Sequence, residues 1–426
     1  MSLPDGFCPK LRPLDVRQAM HQGQQVLVLR DPLGISDQTA IVPQSLAPIL
    51  LLCDGTRELS ALRASLVVRY GTMLSDEVLT QIVENLDEAL LLESERFARA
   101  RAEQIEAFRR APSRTPALAP HAYPGDPDAL SALLDGWLEE AGEDADADAG
   151  RGALRGVVSP HIDYERGASV YARTWSRAAQ AAREAELVIV LGTDHHGGPG
   201  RVTLTPQSYA TPFGVLPTAG DVVDAVADAV GAEAVYAEEL HHREEHSIEL
   251  AIVWLHHLRG GVPCPLVPIL CGSFIHATAG QAMAQQTAAG DGQIPPPPAE
   301  DGRLAALVDA LTPVMAQRHT LIVASADLSH VGPAFGGHPL DLTARALLRQ
   351  ADEGILAQMR RGDAEGFLRS VGDDRNNVCG LPPIYLALRL LAAAGAPAEG
   401  ELVAYEAAPA DAANMSVVSI CGLLWR

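Results

Sequence analysis

The side chains best suited to bind a transition metal follow short apolar runs of the chain. The run at residues 187–191 leads to His195, and two similar runs lead to His161 and to the pair Asp327 and His330. Such short runs are typical of strands buried on both faces, as in a parallel sheet. Ligands of open α/β sheets bind at the carboxyl ends of the strands. We therefore expect these side chains to face a single crevice.

Cys379 adds a thiol to this set, because it lies at the predicted start of a helix. Helix N-termini and nearby cations lower the pKa of a thiol, which makes it a better metal ligand. Two neutral imidazoles and one anionic donor suit a reactive metal site that keeps a coordination position open. Asp327 and His330 are better suited to acid–base work, with Asp327 orienting His330, or to supporting the ligands. We expect the same of His246 and Glu249, which lie three residues apart.

Most other histidines and cysteines need no role in chemistry. The chain has 14 histidines, and we interpret five of them as surface or helix-capping residues: His241, His242, His256, His257 and His319. It has six cysteines and no Cys-x-x-Cys pair, which argues against a disulfide framework and against a structural zinc knuckle. We expect the cysteines other than Cys379 to be small buried hydrophobic residues.

Composition excludes several classes of function. The chain has 426 residues, of which 47% are hydrophobic, enough for two or three domains with a large core. Its formal net charge of −22 repels phosphate backbones and anionic membrane surfaces, so we expect neither nucleic acid nor membrane as a partner. We find no apolar run of about 18 residues and no basic N-terminal segment followed by an apolar one. We therefore predict a cytoplasmic protein without a membrane span or signal peptide.

The pattern of predicted elements divides the chain into two parts. Residues 1–110 contain two short strands and three helices, which predicts a small winged-helix-like α+β domain. A proline-rich stretch at residues 111–120 is typical of a linker. In residues 121–426 strands and helices alternate, which predicts an α/β fold with a central mixed or largely parallel sheet flanked by helices. We interpret residues 139–150 as a solvated acidic loop, and residues 295–298 as a proline insertion that is neither helix nor central strand.

Residues 20–95 resemble the PqqD-like fold. The resemblance rests on the order helix, Cys53-Asp54-Gly55-Thr56, helix, Tyr70-Gly71, helix. That fold is a peptide-recognition module that accompanies enzymes maturing ribosomally made peptides. The resemblance implies a precursor peptide or a radical SAM enzyme as partner. A generic helical regulatory or dimerisation domain is the alternative.

Residues 118–426 resemble the Memo family, which includes the AmmeMemoRadiSam system protein B. Seven motifs occur in the family's order: His121-Ala122-Tyr123-Pro124-Gly125-Asp126-Pro127, Ser159-Pro160-His161, Gly192-Thr193-Asp194-His195-His196, Glu245-His246-Ser247-Ile248-Glu249, Pro268-Ile269-Leu270, Ser325-Ala326-Asp327-Leu328-Ser329-His330 and Asn377-Val378-Cys379-Gly380. The resemblance implies a fold similar to that of class III extradiol dioxygenases, which use non-haem Fe(II). It implies three metal ligands and three residues lining the pocket: His161, His195 and Cys379 for the metal, and His246, Asp327 and His330 for the pocket. The N-terminal module is not a usual part of that family.

The resemblance leads us to predict a metal-dependent redox enzyme that uses oxygen to oxidise a small-molecule or peptide substrate. Fe(II) is the first choice of metal, followed by copper and then zinc. A thiolate in place of the dioxygenases' carboxylate argues against ring cleavage and is itself oxidisable. Two alternatives stay open: a non-catalytic metal- or peptide-binding adaptor, and zinc-dependent hydrolysis. Because the ligands must lose their protons, we expect metal to be released below about pH 6.

Overall fold

The computed structural model describes most of the chain, as residues 3–4, 6–36, 38–142, 153–274, 302–374, 377–395 and 399–426. The predicted proline insertion, residues 295–298, and most of the predicted acidic loop, residues 143–150, lie outside the described residues. The start of that loop, residues 139–141, instead continues a helix. Among the described residues, no helix has the length and apolar character needed to cross a lipid bilayer.

The chain folds into two compact units, residues 1–110 and 111–426. The stretch 111–120, which the sequence predicts as a linker, belongs to the second unit. It packs there through Arg114, whose side chain is inaccessible to solvent and forms an ion pair with Glu249. Its prolines resemble those of a linker, but a buried arginine holds the segment against the second unit.

The first unit is a three-stranded antiparallel sheet that packs against helices, which confirms a small N-terminal α+β domain. Its strands are β1 (Asp15–His21), β2 (Gln24–Arg30) and β3 (Ala40–Pro43), paired in the order β1-β2-β3. Its helices are α1 (Ala47–Leu52), α2 (Leu59–Tyr70), α3 (Asp76–Glu88) and α4 (Glu95–Arg110). The sequence does not predict β1, because almost all of its side chains are exposed and it shows no apolar alternation.

The second unit alternates strands and helices around one large sheet. Its strands are β4 (Gly156–Ser159), β5 (Leu187–Asp194), β6 (Val202–Leu204), β7 (Tyr209–Thr211), β8 (Gly214–Leu216), β9 (Leu266–Gly272), β10 (Thr320–Ser325), β11 (His330–Val331), β12 (Gly400–Pro409) and β13 (Val417–Trp425). Its helices are α5 (Pro127–Ala141), α6 (Tyr164–Glu184), α7 (Gly220–Val230), α8 (Ala232–Val235), α9 (His241–Glu244), α10 (Ser247–Leu258), α11 (Arg303–Gln317), α12 (Leu342–Arg361), α13 (Ala364–Asp374) and α14 (Leu381–Ala393). Strands β7 and β8 form a separate two-stranded sheet, and Tyr209 of β7 also bridges to the backbone of Arg114.

Across the described residues the large sheet has eight strands, and its centre is parallel. The strand order is β11-β13-β4-β10-β5-β9-β6, with β12 beside β13. Strands β4, β10, β5 and β9 run parallel to one another, and the outer strands are antiparallel to their neighbours. The predicted α/β fold with a mixed, largely parallel sheet is confirmed.

Side chains of the central strands alternate between two cores. Ile189 and Leu191 of β5 belong to the core that includes helices α7, α11 and α14. Val188 and Val190 belong to the core that includes α5, α6 and α10. Because helices bury both faces, these strands appear in the sequence as continuous apolar runs.

The register of the parallel strands brings the predicted site residues to one edge. Ser325 of β10 lies beside Ser159 of β4 on one side and beside Gly192 of β5 on the other. From these two neighbours the chain continues for only two or three residues to His161 and His195. The carboxyl ends of three adjacent strands therefore deliver their side chains to the same place.

Candidate metal centre

Two imidazoles and one thiol meet at the ends of β4 and β5 and just before α14. The ligand atoms of His161, His195 and Cys379 all lie within 4.8 Å of one another. Sγ of Cys379 is 3.3 Å from Nε2 of His161. The two imidazole rings meet edge to face, with their centroids 5.1 Å apart. The three side chains predicted as metal ligands are thus close enough to hold one ion.

Two hydrogen bonds direct Nε2 of His161 toward the thiol. The backbone N–H of His161 donates to Oδ1 of Asp327 at 2.8 Å, and its Nδ1–H donates to the carbonyl of Ser325 at 3.1 Å. Because Nδ1 keeps its proton, the neutral ring carries its lone pair on Nε2. Metal-bound histidines generally use this arrangement.

His195 is oriented by a carboxylate that the sequence analysis does not select. Glu245, buried in the turn before α10, accepts the backbone N–H and the Nδ1–H of His195, each at 3.0 Å. Its other oxygen accepts the N–H groups of His246 and Ser247. Burial alone would raise the pKa of Glu245, but its bonds with His195 hold the pKa well below its usual range. The available signal was its position, directly before His246 and the start of α10.

Backbone contacts fix Cys379 ahead of α14. Gly380 donates its N–H to the carbonyl of Asp327 at 3.0 Å, and a Cβ at Gly380 would lie only 2.3 Å from that oxygen. Glycine is therefore required for this close approach. Asn377 has a left-handed φ of 52°, which asparagine tolerates better than most residues. The hydroxyl of Thr193 donates to the carbonyl of Cys379 at 3.2 Å.

The electrostatics of the cluster favour a thiolate. Burial alone would raise the pKa of Cys379, but neighbouring imidazoles, led by His161 and His330, lower it to about 5. Burial would likewise lower the pKa of His161, but Asp327 and Cys379 raise it to about 9. Near pH 7 and without metal, the pair is therefore a thiolate beside an imidazolium.

Two further histidines predicted at the pocket lie near the cluster. The ring of His246 stacks on that of His195, with centroids 5.0 Å apart. Burial lowers the pKa of His246 to about 4 against the opposing charge of Glu245, so the ring is neutral near pH 7. His330 donates its Nδ1–H to a backbone carbonyl at 3.1 Å, and its charge lowers the pKa of Cys379.

Asp327 supports His161 rather than His330, which differs from the expectation. One carboxylate oxygen accepts the backbone N–H groups of His161 and Ile162, at 2.8 and 3.3 Å. The other lies 3.8 Å from Nε2 of His161. The ring of His330 donates instead to the carbonyl of Leu328. Asp327 reaches the backbone of His161 because β10, which precedes Asp327, lies beside β4, which precedes His161. Sequence spacing does not reveal this pairing.

Several other side chains also lie where the sequence does not place them. Glu249 pairs with Arg114 instead of supporting His246. Three of the five histidines interpreted as surface or capping residues are buried: His241, His242 and His256. In His242 and His256, hydroxyl groups and backbone carbonyls satisfy both ring nitrogens, so burial costs little.

Known proteins resemble this chain along most of its length. The family model described as Memo-like protein matches residues 114–288 and 299–424. A MEMO1 family protein of Aquifex aeolicus is 27% identical over 422 residues, covering 98% of this chain and 99% of that protein. A MEMO1 family protein of Thermus thermophilus is 26% identical over 339 residues, covering 79% of this chain and 90% of that protein. One of Methanopyrus kandleri is 26% identical over 298 residues, covering 68% and 91%.

These matches differ in whether they include the first unit. The family model begins at residue 114, just after the first unit. The alignment with the A. aeolicus protein covers 98% of this chain, so it extends into the first unit as well, and that unit is not peculiar to this chain. The family model matches most of the second unit, including every residue of the candidate metal centre. The chain therefore belongs to the family of Memo-like proteins.

Proposed function

We propose that the chain is a metal-dependent redox enzyme that oxidises a small-molecule or peptide substrate with dioxygen. The observation that carries the proposal is the convergence of His161, His195 and Cys379 on one point. Fe(II) is the metal we propose first and copper the second, because imidazole and thiolate ligands suit both and both change oxidation state. Zinc suits the same donors but has no redox chemistry.

The donor set fits such an ion. In both His161 and His195, Nδ1–H is occupied by a hydrogen bond, which leaves Nε2 to face the cluster. The thiol of Cys379 is ionised near pH 7, because its pKa is lowered to about 5. Three protein ligands leave coordination positions for other molecules. A metal bound here would supply Lewis acidity and one-electron transfer.

His246 and His330 are the side chains that we propose for proton transfer. His246 is neutral near pH 7, with its pKa lowered to about 4, so it accepts a proton only transiently and returns it readily. His330 lies close enough to Cys379 to lower the pKa of that thiol. Asp327 keeps His161 in place through its backbone N–H. In the simplest balanced reaction the substrate loses two electrons and two protons, and dioxygen becomes hydrogen peroxide.

Metal analysis of ligand variants tests the site. Protein purified without oxygen should contain iron or copper, and His161→Ala or Cys379→Ala should remove most of it, because each takes away one of three ligands. His319→Ala removes an exposed histidine and Cys264→Ala a buried thiol, and both should keep the metal. Unchanged metal content in both ligand variants would refute the site.

Oxygen uptake and peroxide formation with a panel of phenols and peptides test catalysis. Turnover that requires both metal and oxygen supports the proposal. Full metal occupancy without turnover across the panel would favour the alternative, a non-catalytic metal- or peptide-binding adaptor. Activity that survives strict anoxia after zinc loading would indicate hydrolysis instead.

We further propose that the first unit recognises a peptide substrate, such as a precursor peptide, or a radical SAM partner. Strand β1 supports this, because its residues after Asp15 are all exposed and among the described strands it pairs only with β2. An open strand edge offers backbone groups to an extended peptide. Peptide binding by the full chain is the test.

A cytoplasmic location is part of the proposal, because all six cysteines are free thiols.

A further inference from the structure

Arg114 is a buried arginine that uses its whole guanidinium group. Its Nε donates to the carbonyl of His242, and one terminal nitrogen donates to the carbonyl of Glu245, each at 2.9 Å. The other terminal nitrogen forms an ion pair with Glu249, and both side chains are inaccessible to solvent. One side chain thus joins α9 and the residue that follows it, Glu245, to the first turn of α10.

Glu249 ties a second segment to the same point. Its carboxylate also accepts the N–H groups of Ala117 at 2.7 Å and Leu118 at 2.9 Å. The hydroxyl of Tyr123 donates to it at 2.5 Å. Residues 114–123, which we call the strap, therefore pack against α9 and the first turn of α10.

Such an ion pair is a costly way to stabilise a core. Taking two charges out of water costs several kcal/mol per ion, and well-packed hydrophobic residues in their place are often as stable. What an arginine adds is a rigid planar fork that fixes several acceptors at once. At Arg114, two of those acceptors are backbone carbonyls, so the fork fixes the path of the chain from His242 in α9 to Glu245.

One of the fixed carbonyls belongs to the residue that orients a proposed metal ligand. The carboxylate of Glu245 holds the backbone and the ring of His195, while its carbonyl is held by Arg114. We infer that Arg114 is a positioning residue of the metal centre, which acts through Glu245 on His195. The inference rests on the proposed metal site but not on the identity of the metal or the substrate.

Cobalt(II) titration of the full chain is the test, because a thiolate-to-cobalt charge-transfer band reports this site spectroscopically. The variant is Arg114→Met combined with Glu249→Gln, which removes both buried charges and keeps an acceptor for the strap. Removing the arginine alone would leave a buried carboxylate without its counter-charge, which is strongly destabilising. Loss of support behind a ligand typically weakens metal binding about 10- to 100-fold, and we expect a loss in that range.

Two comparisons separate positioning from general destabilisation. Arg259→Met removes another arginine of the same unit, one that donates to the carbonyls of Ala182 and Ala185 at the end of α6. It should lower stability and leave cobalt affinity unchanged. Adding the Arg114 and Glu249 changes to Glu245→Gln should weaken binding little further, because both act on one contact.

Three results would overturn the inference. The first is unchanged cobalt affinity in the variant of Arg114 and Glu249, and the second is a loss that simply adds to that of Glu245→Gln. The third is an Arg114→Lys variant that binds cobalt as tightly as the unmodified protein. Lysine keeps the charge but not the planar fork, so we expect cobalt affinity to fall. This variant replaces the double variant if the latter does not fold. Absence of the cobalt–thiolate band from the unmodified protein would instead overturn the proposed metal site, and the inference with it.

Discussion

Metal binding near neutral pH should release protons, because the centre holds them beforehand. The pKa of His161 is raised to about 9, and that of Cys379 is lowered to about 5. Burial alone would lower the pKa of His195, but Cys379 and Glu245 hold that pKa well above its usual value. A metal ion requires both imidazoles to be neutral. At pH near 7.5 we expect about one to two protons to leave for each ion bound, none of them from the thiol.

The size of the effect follows from the pKa of His161. With a pKa of about 9, about 3% of His161 is neutral near pH 7.5, which weakens apparent metal affinity about 30-fold. Each proton released makes affinity rise about tenfold per pH unit until the pH reaches that pKa. A histidine with an ordinary pKa would show this dependence only below about pH 6.5. Metal affinity should therefore begin to fall well above the pH 6 expected from the sequence.

Isothermal titration calorimetry with cobalt(II), in buffers of different ionisation enthalpy, counts the released protons. Asp327→Asn is the matched variant, because it keeps an oxygen that accepts the N–H of His161 but removes the charge that raises its pKa. It should release fewer protons and show a weaker pH dependence. Affinity that stays constant between about pH 6.5 and 8.5, with no proton release, would refute this reasoning.

Two further outcomes concern the surroundings of Cys379. Gly380→Ala should lower the free energy of unfolding by about 1–3 kcal/mol, because its Cβ would collide with a backbone carbonyl. Gly354→Ala in α12 has open space and should not be destabilising, and equal effects of the two in denaturant titrations would contradict the assigned packing. In a Cys8→Ser background, metal-free protein should react with iodoacetamide at about pH 6 through Cys379, because its pKa is about 5. His161→Ala should slow that reaction, and an unchanged rate would argue against the thiolate–imidazolium pair.

Periodicity predicted the elements that present a complete apolar face. The central strands appear as apolar runs because both of their faces are buried. Strands β6, β7 and β8 are three residues each, too short to show a period. Strand β1 was missed because its side chains face solvent.

Residue type predicted the candidate ligands better than it predicted their supports. Histidine and cysteine at strand and helix ends are few, so His161, His195 and Cys379 could be selected. The chain has 54 acidic residues, and Glu245 differs from the rest only in its position directly before His246 and α10, which does not show that its carboxylate reaches His195. Arg114 was equally hidden, because arginine beside prolines resembles a solvated linker.

The sequence by itself determined the α/β core and the presence of metal-type donors at its strand ends, because periodicity and residue chemistry are local properties. Only the tertiary structure decided which imidazole nitrogens face the thiol and which carboxylates hold the rings. Those choices depend on hydrogen bonds between residues far apart in the chain: 218 positions separate Cys379 from His161, and 131 separate Arg114 from Glu245. Strand register and loop packing bring these residues together, and neither can be deduced from the spacing of residues along the chain.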